Sequence, residues 1–221
     1  MNAYLEPYGG DYFSFVLIGI AFSGFLQTGL STFSSSISSA QSQGTLEAML
    51  VTPTRLSAII IFSSFWSFLF TSLNVLVYLA FGALIFGMDL SNTNVGASLL
   101  ILALTIVAFS GVGIISASFI MVLKRGDPIS WVFGSVSGLL GGTYFPVTIL
   151  PAWLQNFSYI FPLFYALRGM RHAMLQNYTL AQLAPDIIAL ALFAVAITPL
   201  SIAAFKFAVK RAKIDGNLVT Y

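Results

Sequence analysis

Five stretches of this chain run without a single charged side chain: residues 12–46, 56–88, 90–123, 128–167 and 187–205. The shortest is 19 residues long and the longest 40. About 20 apolar helical residues cross a hydrocarbon core of roughly 30 Å, so each stretch can hold a membrane span. In lipid such a span has to be helical, because a helix satisfies its own backbone donors and acceptors. The stretches are continuous apolar runs and lack the alternation that a membrane barrel needs. The pattern predicts an all-α integral membrane protein, one domain over 1–221, with five spans at about 12–33, 56–86, 95–123, 129–148 and 185–205.

The 40-residue run holds more than a span, since as one helix it would measure about 60 Å. Gly141, Gly142, Pro146 and Pro151 end the fourth span, and Pro162 interrupts the remaining apolar segment by removing a backbone donor. Two short apolar helices remain, 152–161 and 163–175, neither able to cross, so an external re-entrant or interfacial hairpin is expected at about 150–175. It carries Trp153, Phe157, Tyr159, Phe161, Phe164, Tyr165, Arg168 and Arg171. Aromatic rings and snorkelling arginines form headgroup belts, which is one reading. The other is an outer gate, where Arg168 and Arg171, a helical turn apart, attract an anionic headgroup or substrate. The lone histidine, His172, reads as a surface or packing residue. In the fourth span Gly134, Gly138 and Gly142 recur every four residues with Ser130 on the same face, a spacing that marks a helix-packing seam.

Between the first two spans, Leu46, Met49 and Leu50 fall at i, i+3 and i+4. Gly44 precedes them, Pro53 comes after, Thr45 is a possible N-cap, and Glu47 sits in the first turn, where a carboxylate is favoured. An amphipathic helix over about 44–53, just before Arg55, would either lie on lipid or dock in a partner's groove. Before it, residues 31–45 hold nine Ser or Thr and no charge. They read as a polar helix end whose hydroxyls bond back to carbonyls, or as the lining of a pathway mouth.

Composition removes several classes. With 58% hydrophobic and 7% charged residues, against about 25% charged in soluble domains, the chain cannot cover a soluble globule. Fifteen per cent aromatics exclude disorder, and the absence of cysteine excludes disulfides and thiolate metal sites. A net charge of +2 gives no reason to expect nucleic acid. The placement of the basic residues says more. Arg55, Lys124, Arg125, Lys206, Lys210, Arg211 and Lys213 fall on one side, and Arg168 and Arg171 on the other. The positive-inside rule puts the seven, and the C-terminus, in the cytoplasm of a prokaryotic plasma membrane. The N-terminus is then external with no basic signal region, which leads us to expect a preceding helix that this chain lacks.

No Asp, Glu, Lys, Arg or His lies in the middle of a predicted span, which disfavours ion coupling. No lysine follows a glycine, so there is no phosphate loop, and no metalloprotease motif is present. The chain reads as no enzyme, with no catalytic residue, metal or cofactor of its own, and any driving energy comes from elsewhere.

In order along the chain, Gly44-Thr45-Leu46-Glu47-x-x-Leu50-x-Thr52-Pro53 is joined, two spans later, by Phe145-Pro146-Val147, Leu150-Pro151-x-Trp153-Leu154 and Phe161-Pro162-Leu163-x-Tyr165-Ala166-Leu167-Arg168. This resembles the permease subunits of ATP-binding-cassette type-2 exporters, and looks closest to drug-export members. The resemblance implies six spans, one more than this chain offers, and a homodimer or heterodimer of permeases in membrane lipid. It implies two cytosolic ATPase subunits holding ATP and Mg. It casts Gly44, Thr45, Leu46, Glu47, Met49, Leu50, Pro53 and Arg55 as the ATPase-coupling element. The hairpin with Phe145, Pro146, Pro151, Trp153, Leu154, Phe161, Pro162, Tyr165, Arg168 and Arg171 becomes the external closure. The expected cargo is a hydrophobic or amphiphilic drug or lipid, with polysaccharide or glycolipid export, or an ATP-independent carrier, as alternatives.

Overall fold

A computed structural model describes residues 5–9, 11–45, 56–123 and 127–215, without the side chains of 56–63, 213 and 215. Among the described residues seven α-helices are arranged in order: α1 Tyr12–Ser42, α2 Leu56–Leu84, α3 Val95–Leu123, α4 Pro128–Leu140, α5 Ala152–Ser158, α6 Pro162–Leu175 and α7 Ala184–Asp215. Among the described residues there is no strand. Four helices are long and apolar enough to cross a membrane: α1, α2, α3 and α7.

The fourth predicted span, over 129–148, is corrected to a helix of 13 residues, Pro128–Leu140. At about 20 Å it falls short of the hydrocarbon thickness. It stops because Gly141 and Gly142 come next, Gly142 at φ +79°, a left-handed turn that L side chains resist. In the other direction, α1 runs nine residues past the predicted end at Phe33. In its serine-rich half the hydroxyls of Ser31, Ser34, Ser36 and Ser42 are satisfied within the helix, each donating to the carbonyl four residues back.

Asp11 starts α1, its carboxylate accepting the Phe13 and Ser14 N–H groups. The helix buries one stripe, Ile18, Phe22, Phe25, Gly29, Phe33 and Ile37, at helical spacing. Where α1 crosses α3 the backbones nearly touch, and a Cβ on Gly113 would overlap the Gly29 carbonyl. On the far side α3 packs along α7, with Gly111 receiving Ile197. α2 stands apart, packed chiefly on α1, with the Thr28 and Thr71 hydroxyls bonded at 2.7 Å near the crossing.

The two ends of the bundle are distinct. At one end the Asn94 amide joins the Tyr178 carbonyl, and the Asn94 N–H joins Ala173 O, so the α2–α3 loop meets the end of α6 and the loop after it. At the other, Ile37, Ala40, Ile120, Met121, Ala208 and Ala212 pack together as α1, α3 and α7 finish.

Candidate functional site

The second arm of the hairpin folds back into the bundle. Pro162 sits in the first turn of α6, where its missing N–H costs nothing, so it starts that helix and does not break one. Leu163, Leu167, Met170 and Met174 then enter the bundle core between α1, α3 and α7. The exposed aromatics stay on the outer arm, with Trp153 63% and Phe157 52% accessible. Pro151 caps α5 from outside, Leu154 is half-buried on it, and Phe145 and Pro146 form the turn before it. Phe161 meets Phe133 of α4 edge to face at 5.7 Å, and the Tyr165 hydroxyl donates to the Tyr159 carbonyl, closing the hairpin tip.

Both arginines turn inward, which corrects their reading as snorkelling or anion-attracting cations. Arg171 is 2% exposed. Its Nε donates to the Phe15 carbonyl at 3.1 Å, and its Nη2 to the Gly142 and Thr143 carbonyls at 2.9 and 3.2 Å. The guanidinium also lies 3.4 Å over the Phe15 ring. Space for it exists because residue 19 is glycine, since a Cβ there would meet the Thr143 carbonyl and the guanidinium. Arg171 thus fastens α6 to the start of α1 and to the turn after α4. Arg168 pairs with Asp186 at the first turn of α7, with Nη2–Oδ1 2.7 Å, and fastens the other flank. His172 is sandwiched between Tyr8 and Tyr178 and bonded to Gln176, a packing residue as expected.

A second feature lies along α1 and α2. Thr28, Ser31, Thr32 and Ser35 face Ser67 and Thr71 across a recess of about 480 Å³, walled by Trp66 and Phe70. Both rings are open to the surroundings, at 70% and 58%. Two amides lie nearer the hairpin end, Asn74 on α2 and Gln27 on α1, the latter beside Gly134 of α4; both are exposed and neither side chain is hydrogen-bonded among the described residues. On the other flank of α1, the Ser130 hydroxyl donates to the Leu30 carbonyl and Gly134 lies against Leu30 and Gln27. Within one copy of the chain only part of the glycine seam is used. Ser130 and Gly134 serve α1, Gly138 faces open space, and Gly142 has left the helix. Sequence reasoning passed over Gln27 and Asn74, although a lone amide deep in an uncharged run is itself a signal.

Residues 5–175 match the family described as ABC-2 type transporter. The chain belongs to that family. Among curated proteins none matches it. An ABC-2 permease is the multi-pass membrane component of an ABC transporter, works with an ATP-binding cassette partner and is not itself the ATPase. For this ABC-2 permease, the segment that would meet such a partner falls largely outside the described residues, including Leu46, Glu47, Met49, Leu50, Pro53 and Arg55.

Its beginning, Gly44 and Thr45, is described. Gly44, at φ +66°, closes α1: its N–H reaches Gln41 O and the Thr45 N–H reaches Ala40 O, the paired bonds of a helix stop. The Thr45 hydroxyl donates to the Ala40 carbonyl at 3.3 Å, and the segment it would cap lies outside the described residues. On the α1 side the ABC-2 permease is helical to Ser42 and turns through residue 45, and among the described residues the next helix runs from Leu56.

Proposed function

We propose that this ABC-2 permease exports a hydrophobic or amphiphilic compound, driven by ATP that a separate cytosolic subunit hydrolyses, with a second copy completing the pathway. The observation that carries the reading is the polar strip on α1 and α2, with the two amides nearer the hairpin. Hydrocarbon would leave the Gln27 and Asn74 amides unsatisfied at a cost of several kcal/mol by the usual transfer scales. A facing copy and a wet pathway between the copies satisfy them. The strip carries hydroxyls and rings but no charge, which suits an amphiphile better than an ion.

The side assignment rests on charge. Lys206, Lys210 and Arg211 on the last turns of α7 share an end with the finish of α1, while Arg168 and Arg171 are at the hairpin end. We place the α7 end in the cytoplasm of a prokaryotic plasma membrane and the hairpin outside. ATP-driven closure of the partner pushes Leu46, Met49 and Leu50 sideways, and the unbroken α1 transmits the displacement to the Phe15–Arg171 fastening beneath the hairpin. Glu47 and Arg55 orient the docking.

Replacing Leu46 and Leu50 together by Asp tests this directly in the reconstituted complex. Export should fall at least tenfold, with cargo-stimulated ATP hydrolysis lost and the permease still folded. Unaltered stimulation in that double variant would remove the docking role. A glycolipid or polysaccharide cargo is the second reading, favoured by Trp66 and Phe70 flanking a row of hydroxyls as stacking platforms. Stimulation of ATP hydrolysis by oligosaccharides and not by lipophilic compounds would select it.

A further inference from the structure

The far side of α2 holds a different feature. There α2 and α3 diverge, and a groove of about 540 Å³ opens between them over a floor of Phe22, Phe25, Met170 and Met174. Its hydroxyls are already occupied: Thr93 donates to Met174 O, Ser98 to Asn94 O and Ser72 to Phe68 O. Their donor hydrogens are therefore spent, and the rest of the lining is apolar. The mouth opens sideways between Leu76 and Leu99, each about 60% exposed, so what enters comes from the plane of the bilayer. Water finds few polar partners along so apolar a lining, and a void would forfeit the contacts of the lining atoms. The two thioethers on the floor adapt to a chain of irregular shape.

The groove ends at Leu90 and Thr93, in the loop after α2. That loop, 85–94, holds no basic residue and one acid, the exposed Asp89 next to Leu90. Ser91 donates its N–H and hydroxyl to Asp89 Oδ1. Those bonds hold the carboxyl below its ordinary range, so it is ionised at neutral pH. We propose that the groove holds one acyl chain of a membrane phospholipid whose headgroup carries an amine, with the ammonium meeting Asp89. An anionic headgroup would meet the same carboxylate with repulsion.

Native mass spectrometry of the full chain, released from nanodiscs of equal phosphatidylethanolamine and phosphatidylglycerol content, reads the retained lipid. We expect one phosphatidylethanolamine per chain, retained at least tenfold less by A80F/A83F, which fills the groove. L69F, a lipid-facing change on α2 outside the groove, should retain it fully. D89N cannot disturb packing, because the side chain is exposed; it should abolish the preference for the amine lipid while the acyl chain stays. Equal retention by wild type and the filled variant overturns the proposal, as does equal retention of the two lipids by wild type. So does a second copy of the chain, or an exported compound, found in place of lipid.

Discussion

Arg171 is a fully buried guanidinium bonded to three carbonyls and no carboxylate. Arg171→Met keeps the bulk but leaves those acceptors unpaired, and should cost about 2–4 kcal/mol, read as a lowered unfolding midpoint in detergent. Arg171→Lys should recover only part of this, because an ammonium cannot fork to carbonyls on two segments. Arg168 and Asp186 make a different case, with the carboxylate buried and the guanidinium partly exposed. Truncating either to Ala should destabilise the chain more than truncating both, since one change alone strands a charge; a double-mutant cycle measures the difference. The sequence shows two arginines a turn apart, but not that both point inward. That direction comes from α6 burying Leu163 and Leu167, which charge spacing does not record.

At the scale of elements, the small residues that matter are those at the α1–α3 crossing. Gly113→Ala would drive a methyl into the Gly29 carbonyl and should cost about 1–3 kcal/mol, whereas Gly138→Ala, facing open space, should leave thermal stability within about 0.5 kcal/mol. The four-residue spacing of Gly134, Gly138 and Gly142 points to α4, yet the closest backbone approach sits at glycines with no such repeat beside them. Four of the five spans are legible because a long uncharged run in a helix-only solvent leaves little choice. The one over 129–148 is not, because hydropathy continues through Gly141 and Gly142 while the helix does not. The hairpin pair, by contrast, is legible from Pro151 and Pro162 together with the shortness of the segments between them.

Taken as a whole molecule, the chain is a bundle with two unlike surfaces beside α2: a dry groove toward α3, and a strip of hydroxyls toward α1. An isolated bundle would present both to lipid, and only the first belongs there. The account rests on the second surface facing water and a second copy during transport. The chain has no cysteine, so a single introduced thiol reports on one position alone. The most direct measurement is the rate at which a membrane-impermeant maleimide labels Ser31→Cys, compared with Val195→Cys on the outer face of α7, in membranes that also hold the ATPase partner. Maleimide needs the thiolate, which forms in water and not in hydrocarbon. The account predicts labelling at least tenfold faster at position 31; equally slow labelling at both positions would contradict it.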